Sequence, residues 1–241
     1  MTVATCSLVD EITDGELNDL SAELEAAGPT SILRWALAEF GSNVALATGF
    51  GMEGCVLVSM LAEIDVNARM FYLDTDLLFP ETYALRDRLE ERYQVRFERR
   101  ATSLTLREQA DLFGDRLWER EPNECCRLRK VVPLAAMLSG LQAWITAIRR
   151  DQSPARAHAR AVERDSRFHI IKINPLVSWS AQDVSQYVRE NDVPYNPLHD
   201  AGYPSIGCTP CTTPIQIGED PRAGRWRGTN KTECGIHQSE K

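Results

Sequence analysis

Two cysteines stand side by side in the stretch NECCRLRK, residues 123–130, and a second pair, Cys208 and Cys211, follows in GCTPC. Adjacent cysteines make a poor disulfide with each other because the ring they close is strained. They also suit one zinc ion badly, since its paired ligands usually sit two to four residues apart. A cubane of four irons is different: it offers each sulfur its own metal, so neighbouring residues can reach neighbouring corners. Cys125, Cys126, Cys208 and Cys211 therefore read as candidate ligands of a [4Fe–4S] cluster. The alternative is that the C-x-x-C pair binds zinc or does redox work alone, while Cys125 and Cys126 are buried thiols.

A further cysteine, Cys234, lies in KTECGIH, residues 231–237, with Arg225, Arg227, Lys231 and His237 nearby in the chain. Cations favour a thiolate, and a place near the end of a chain lets a side chain enter and leave a site. Local context alone fits a reactive cysteine and an incidental one equally well. Cys55, in the apolar run CVLVSML, reads as core, and Cys6 falls in an unstructured leader. His199, in PLHDAGY, is either structural or close to the cysteines. Trp35, Trp118, Trp144 and Trp179 read as packing residues.

These residues need a frame. Apolar spacing predicts two N-terminal helices, with Leu17, Leu20 and Leu24 on one face, a break at Gly28-Pro29, and then Ile32, Leu33, Trp35, Leu37 and Phe40. Residues 44–47 read as a buried strand, 48–51 (TGFG) as a tight turn and 52–64 as a helix. Strands at 70–73, 95–99, 143–147 and 168–173 follow, with helices opening at Pro80, after Leu104, over 125–138, and from Ser180 to Glu190 behind a capping box. Such alternation predicts an α/β fold: an open, mostly parallel twisted sheet with helices on both faces, followed by an irregular tail rich in cysteine and arginine. The uncharged run 131–148 is broken by Pro133, Ser139 and Gly140, so it reads as a helix end, a turn and a strand, not a membrane span.

Ligands of open α/β sheets sit beyond the carboxyl ends of the strands. Three such ends carry suggestive loops: residues 48–51, 73–76 and 149–153. The first has small residues that let backbone N–H groups approach a phosphate at a helix N-terminus. It is neither a Walker A loop nor the dinucleotide G-x-G-x-x-G pattern, and a plain tight turn explains it equally well.

The net charge is −8, yet residues 125–172 hold ten Lys/Arg against three Asp/Glu, a local +7 that leaves −15 for the rest. A basic middle in an acidic chain points to a focused anion site, not a nucleic-acid surface. Arg156, Arg160 and Arg164, spaced by four, read as a solvated helix face. Seven cysteines, an odd number, and an N-terminus without a basic region before an apolar core argue against an exported disulfide framework. A cytoplasmic location is expected.

Six motifs, LDTDLLFPETY, CCRLRKVVPL, RRDQSPAR, GYPSIGCTPCT, RAGRW and KTECGIH, occur in that order. Together they resemble the assimilatory adenylyl-sulfate and phosphoadenylyl-sulfate reductases, over about residues 44–237. The CC…CxxC set is similar to the branch that carries a [4Fe–4S] cluster and chiefly uses adenosine 5′-phosphosulfate (APS); the cluster-free branch uses the 3′-phosphorylated form (PAPS). The resemblance implies an adenine-nucleotide alpha-hydrolase-like fold and a role in sulfate assimilation toward cysteine. It implies Cys125, Cys126, Cys208 and Cys211 as cluster ligands and Cys234 as the nucleophile that becomes an S-sulfocysteine, with thioredoxin or glutaredoxin as electron donor. Thr48, Gly49, Leu73, Asp74 and Thr75 would hold the adenosine. Lys130, Arg149, Arg222, Arg225 and His237 would neutralise charge between thiolate and sulfonate. The expected organisation is N-terminal helices over 1–42, the nucleotide-binding domain over 43–215, and a mobile tail over 216–241.

One departure stands out. The loop after the first strand, usually serine-rich in these reductases, reads Ala47-Thr48-Gly49-Phe50-Gly51 and keeps one hydroxyl. The chain ends at Lys241 without a fused thioredoxin-like domain, so an external donor is expected; a homo-oligomer is left open. Two other functions compete. An iron–sulfur tRNA-thiolating enzyme would need a Ser-Gly-Gly-x-Asp-Ser loop, which TGFGMEG is not. An iron–sulfur redox sensor would leave Cys234 and the basic tail idle.

Overall fold

The computed structural model describes residues 12–237; Cys6 lies outside them. Six strands form one sheet: β1 Val44–Thr48, β2 Met70–Asp74, β3 Phe97–Ala101, β4 Ala143–Ile145, β5 Val162–Asp165 and β6 Ile170–Ile173. Their order is β3-β2-β1-β4-β6-β5, all parallel except β5, which runs antiparallel to β6. The fold is thus an α/β open sheet, mostly parallel, with helices on both faces.

Period-two alternation decides which face each side chain enters. Val44 and Leu46 of β1, Met70 and Tyr72 of β2, and Ala143 and Ile145 of β4 enter the larger core. Ala45, Phe71 and Trp144, the residues between them, enter a smaller core with Leu134, Met137 and Leu138. Leu46 pairs with Met70 on one side and Ile145 on the other, and all three are buried. Burial of such a side chain stabilises by about 1.5–3 kcal/mol. Helix Met52–Ile64 is apolar nearly all round, as a helix covering the centre of a sheet must be. Helices Asp14–Ala27 and Pro29–Phe40 feed Leu17, Leu24, Ile32, Leu33 and Phe40 into the same core. Ser21 Oγ accepts the Val162 N–H of β5 at 3.0 Å, which ties the first helix to the sheet edge.

Strand β5 was not expected. Its sequence, VERD, has no clear apolar alternation, and its state is decided by pairing with β6, Val162 opposite Ile173. Consequently Arg156 and Arg164 share no helix face. Pro154 opens a single 3-10 turn over Pro154–Arg156, and Arg164 lies in β5. The run 131–148 resolves into helix Val132–Leu138, a turn and β4. No helix among the described residues is long and apolar enough to cross a membrane.

Candidate active site

The carboxyl ends of β1, β2 and β4 open into one cleft of about 750 Å³, within the usual range for small-ligand sites. Strands β1 and β4 are neighbours whose chain connections lead to opposite halves of the sheet, which makes this the topological switch point. Thr48 and Gly49 line the cleft from β1, Leu73 and Thr75 from β2, and Arg149 from the loop after β4. Lys130, Arg222, Arg225, Cys234 and His237 complete it. Ten residues expected at one site are thereby brought together.

Asp74 is the exception and does not line the cleft. One carboxylate oxygen accepts the Tyr83 hydroxyl at 2.7 Å and the Asp76 N–H at 2.9 Å; the other accepts Arg99 Nε at 2.6 Å. Burial alone would raise its pKa, but these hydrogen bonds outweigh it and hold the carboxyl below its ordinary value. Asp74 is engaged within the β2 loop.

The TGFG loop is shaped by a buried ring. Phe50 adopts a left-handed backbone (φ 58°) and packs its side chain against Tyr72 and Phe97, with ring centroids 5.4 and 5.1 Å away. Thr48 Oγ1 accepts the Phe50 N–H at 3.0 Å, which leaves the threonine hydroxyl hydrogen for another acceptor. A Cβ on Gly54 would stand 2.6 Å from that oxygen, so the first turn of the following helix must be bare there.

The cysteine-bearing helix begins with Pro122–Cys126, widens into a π-helical turn over Arg127–Val131, and resumes at Val132–Leu138. Pro133 lacks an N–H and its ring crowds the preceding turn, which the wider winding accommodates. Arg129 anchors this turn. Fully buried, it donates to Gln109 Oε1 (2.7 Å), the Thr75 carbonyl (2.9 Å) and Asp76 Oδ2 (3.0 Å). From the other side, Thr209 N–H donates to the Leu77 carbonyl at 2.7 Å, and Thr75 Oγ1 meets Cys208 Sγ. The β2 loop thus carries the two cysteine pairs toward each other.

Cys125, Cys126, Cys208 and Cys211 line one small void with Trp118, Arg129, Lys130 and Trp226. No group of three or more Cys, His, Asp or Glu among the described residues is gathered closely enough to hold a single metal ion. Four thiols around a common void, without a carboxylate among them, suit a polynuclear body better than a point. Burial, then the charges of Cys126, Cys208 and Cys211, push Cys125 up to about 12; burial and Cys208 push Cys211 up to about 11. As bare groups these are thiols, and only a metal core would draw them to the thiolate form. Cys55, buried on helix Met52–Ile64, is likewise pushed up to about 12, chiefly by burial.

Lys130 lines both the void and the cleft. Burial works against its ammonium, but interaction with the nearby sulfurs of Cys208, Cys234 and Cys126 outweighs that and raises its pKa. Arg225 donates to Ser205 Oγ at 3.1 Å and stacks on Trp226; burial lowers its pKa and Cys234 opposes the shift. Among the described residues neither cation has a carboxylate partner. Arg149 differs: it is paired with Glu53 at 3.1 Å and Asp151 at 2.9 Å. Arg222 is paired with Glu233.

His237 stacks on Trp144, ring centroids 5.6 Å apart at 16°. Burial first, then Lys172, Arg156 and Arg222, depress its pKa well below 6.5. Near neutral pH this favours the uncharged imidazole. Its Nδ1 has no hydrogen-bond partner among the described residues. Among the cleft residues that escaped the sequence reading are Arg156, taken for a solvated residue, and Glu233. Arg156 belongs to RRDQSPAR, of which all but Ala155 line the cleft, and Glu233 is the acidic residue of KTECGIH. His199 lines the cleft as well.

The sequence matches the family model of the phosphoadenosine phosphosulfate reductase domain over residues 43–214. The chain belongs to that family, and its reaction class is that of an oxidoreductase. An adenosine 5′-phosphosulfate reductase of Bacillus subtilis is 48% identical over 88% of this chain and 91% of its own length. Its counterpart in Salinibacter ruber is 49% identical over 91% and 88%. Among solved structures, phosphoadenylyl-sulfate reductase from Candida auris, a phosphate complex, superposes with a TM-score of 0.76 at 32% identity, covering 84% of this chain and 98% of that one. An FMN adenylyltransferase of Candida glabrata shares the fold alone, with a TM-score of 0.57 at 14% identity over 89% of this chain and 74% of that one.

Proposed function

We propose that the chain reduces APS to sulfite and AMP with electrons from an external dithiol protein such as thioredoxin or glutaredoxin. The observation that carries this is the placement of Cys234 in the same cleft as the strand-end loops, beside two cations, Lys130 and Arg225, that no carboxylate neutralises. Thr48, Gly49, Leu73 and Thr75 form the nucleotide wall. The Cys234 thiolate attacks the sulfate sulfur, the S–O bond to phosphate breaks, and AMP departs with the electron pair. Because the leaving group is a stable phosphate anion, no strong general acid is required. The barrier lies in bringing two anions together, and Lys130 and Arg225 offset it.

Cys234 then carries a sulfonate as S-sulfocysteine. A donor thiolate attacks the Cys234 sulfur and expels sulfite, and the donor's second thiol resolves the mixed disulfide, so two electrons leave the donor as its own disulfide. Cys125, Cys126, Cys208 and Cys211 would hold a [4Fe–4S] cluster. When bound, it supplies the field of a thiolate-ligated iron body beside Lys130. The place of the reaction is cytoplasmic sulfate assimilation toward cysteine.

Sulfite release from APS with reduced thioredoxin tests the reading. Activity that requires Cys234 supports it. An inactive, fully iron-loaded protein that binds APS would leave the redox-sensor reading in its place.

A further inference from the structure

Residues 230–237 carry Cys234 without regular secondary structure. Among the described residues, no backbone–backbone hydrogen bond ties this segment to the rest of the chain. Side chains hold it instead. Arg167 donates to the Gly235 carbonyl at 2.6 Å, Arg222 donates to the Thr232 carbonyl at 2.9 Å, and His237 stacks on Trp144. The one carboxylate of the segment, Glu233, immediately precedes Cys234 and is only 9% exposed.

That carboxylate is held from two loops at once. Its Oε2 accepts Arg222 Nη2 at 3.0 Å and Arg156 Nη2 at 3.3 Å, and its Oε1 accepts the Ser153 hydroxyl at 3.5 Å. Ser153 and Arg156 come from the loop after β4, and Arg222 from the loop before Trp226. All three line the cleft. A buried carboxylate between two guanidiniums holds position more strongly than neutral contacts do. The two arginines also repel each other unless an anion sits between them.

We propose that Glu233 is a positioning residue, a clamp that joins Arg156 to Arg222 and holds the Cys234 segment over the cleft. Its effect on the chemical step rests on the reading of Cys234 as the nucleophile. The clamp itself does not, since it is a statement about the resting protein. Glu233→Gln keeps the size and removes the charge. Glu233→Asp keeps the charge on a shorter arm.

The test uses the full chain, purified anaerobically with its iron and without nucleotide. Iodoacetamide labelling is followed peptide by peptide, with Cys211 as internal control. Loss of the charged pair should speed Cys234 labelling about tenfold in Glu233→Gln, with partial return in Glu233→Asp and no change at Cys211. Arg222→Met removes the clamp from the other side, and adding Glu233→Gln to it should have little further effect. With saturating APS and no thiol donor, adduct formation in Glu233→Gln should slow by up to about 100-fold, the scale of a misplacement near 1 Å, while APS binds no more weakly. Equal Cys234 labelling in the parent and Glu233→Gln overturns the clamp. Faster labelling with an unchanged adduct rate overturns the positioning role. A parent protein that forms no adduct at all, with labelling still faster in Glu233→Gln, sinks the reaction and leaves the clamp standing.

Discussion

Thr75 and Cys208 lie 133 residues apart in the chain and meet with Oγ1 and Sγ 3.3 Å apart. The contact joins the loop after β2, at the edge of the cleft, to the C-x-x-C loop. Replacing Thr75 with Val keeps the shape and removes the hydroxyl. If the four cysteines hold a cluster, the variant should fold normally and surrender its iron to a chelator about tenfold faster, the usual scale for loss of a group that supports a metal ligand. Iron release at the parent's rate would show that the contact does nothing for the site.

Iron content is the direct check on the cysteine set. Anaerobically purified protein should be brown and contain about four irons per chain. Stoichiometric zinc with no visible absorption would return the C-x-x-C pair to the simpler reading.

The charge inventory of the cleft predicts APS over its 3′-phosphorylated form. Arg149, Arg150, Arg156 and Arg222 already face Glu53, Glu25 and Glu233. Lys130 and Arg225 are needed beside Cys234. Among the described residues no further Lys or Arg of the cleft is left for an added phosphate, so kcat/KM for APS should be higher by about 10-fold or more, roughly 1.4 kcal/mol. The reverse preference, measured side by side, would refute the argument.

Cys234 should be the only cysteine that acquires a sulfonate. Protein mixed with APS in the absence of a thiol donor should gain one SO₃ per chain, mapped to TECGIH. Cys234→Ser should retain iron and APS binding yet form no adduct. An adduct on Cys6 or Cys55 would exclude the mechanism even with the fold intact.

His237 predicts a pH dependence of tail docking. Its folded pKa is depressed from 6.5, so below pH 6.5 the undocked form binds more protons than the docked one. Docking should therefore be constant above about pH 6.5 and weaken as pH falls below it. Trypsin cleavage at Lys231 reports this. His237→Phe, which retains a ring against Trp144, should flatten the profile; an unaltered profile would assign the effect elsewhere.

The sheet and most of the cleft were legible because both follow from short-range patterns. Val44, Leu46, Met70 and Ile145 announce buried strands, and loops at the ends of parallel strands must share one edge. The grouping of the two cysteine pairs was visible as well, since both line one void. Elsewhere the local pattern hides the partners that decide a residue's state. Asp74 sits in a motif that resembles a nucleotide loop, but Tyr83 and Arg99 claim its carboxylate. The spacing of Arg156, Arg160 and Arg164 imitates a helix that Pro154 and the β5–β6 pairing prevent. His237 looks cationic beside arginines, but burial first, and then those neighbouring cations, favour its neutral form.

The Phe50 ring has a further consequence. With its side chain given to the core and its N–H held by Thr48, Phe50 anchors the loop after β1 to the sheet. The cleft therefore resembles a vice with one jaw bolted to the bench. Adjustment to an incoming nucleotide must come from the opposite side, the segment around Glu233 and Cys234. Sequence drift in TGFG would register as changed affinity, and drift in KTECGIH as changed turnover.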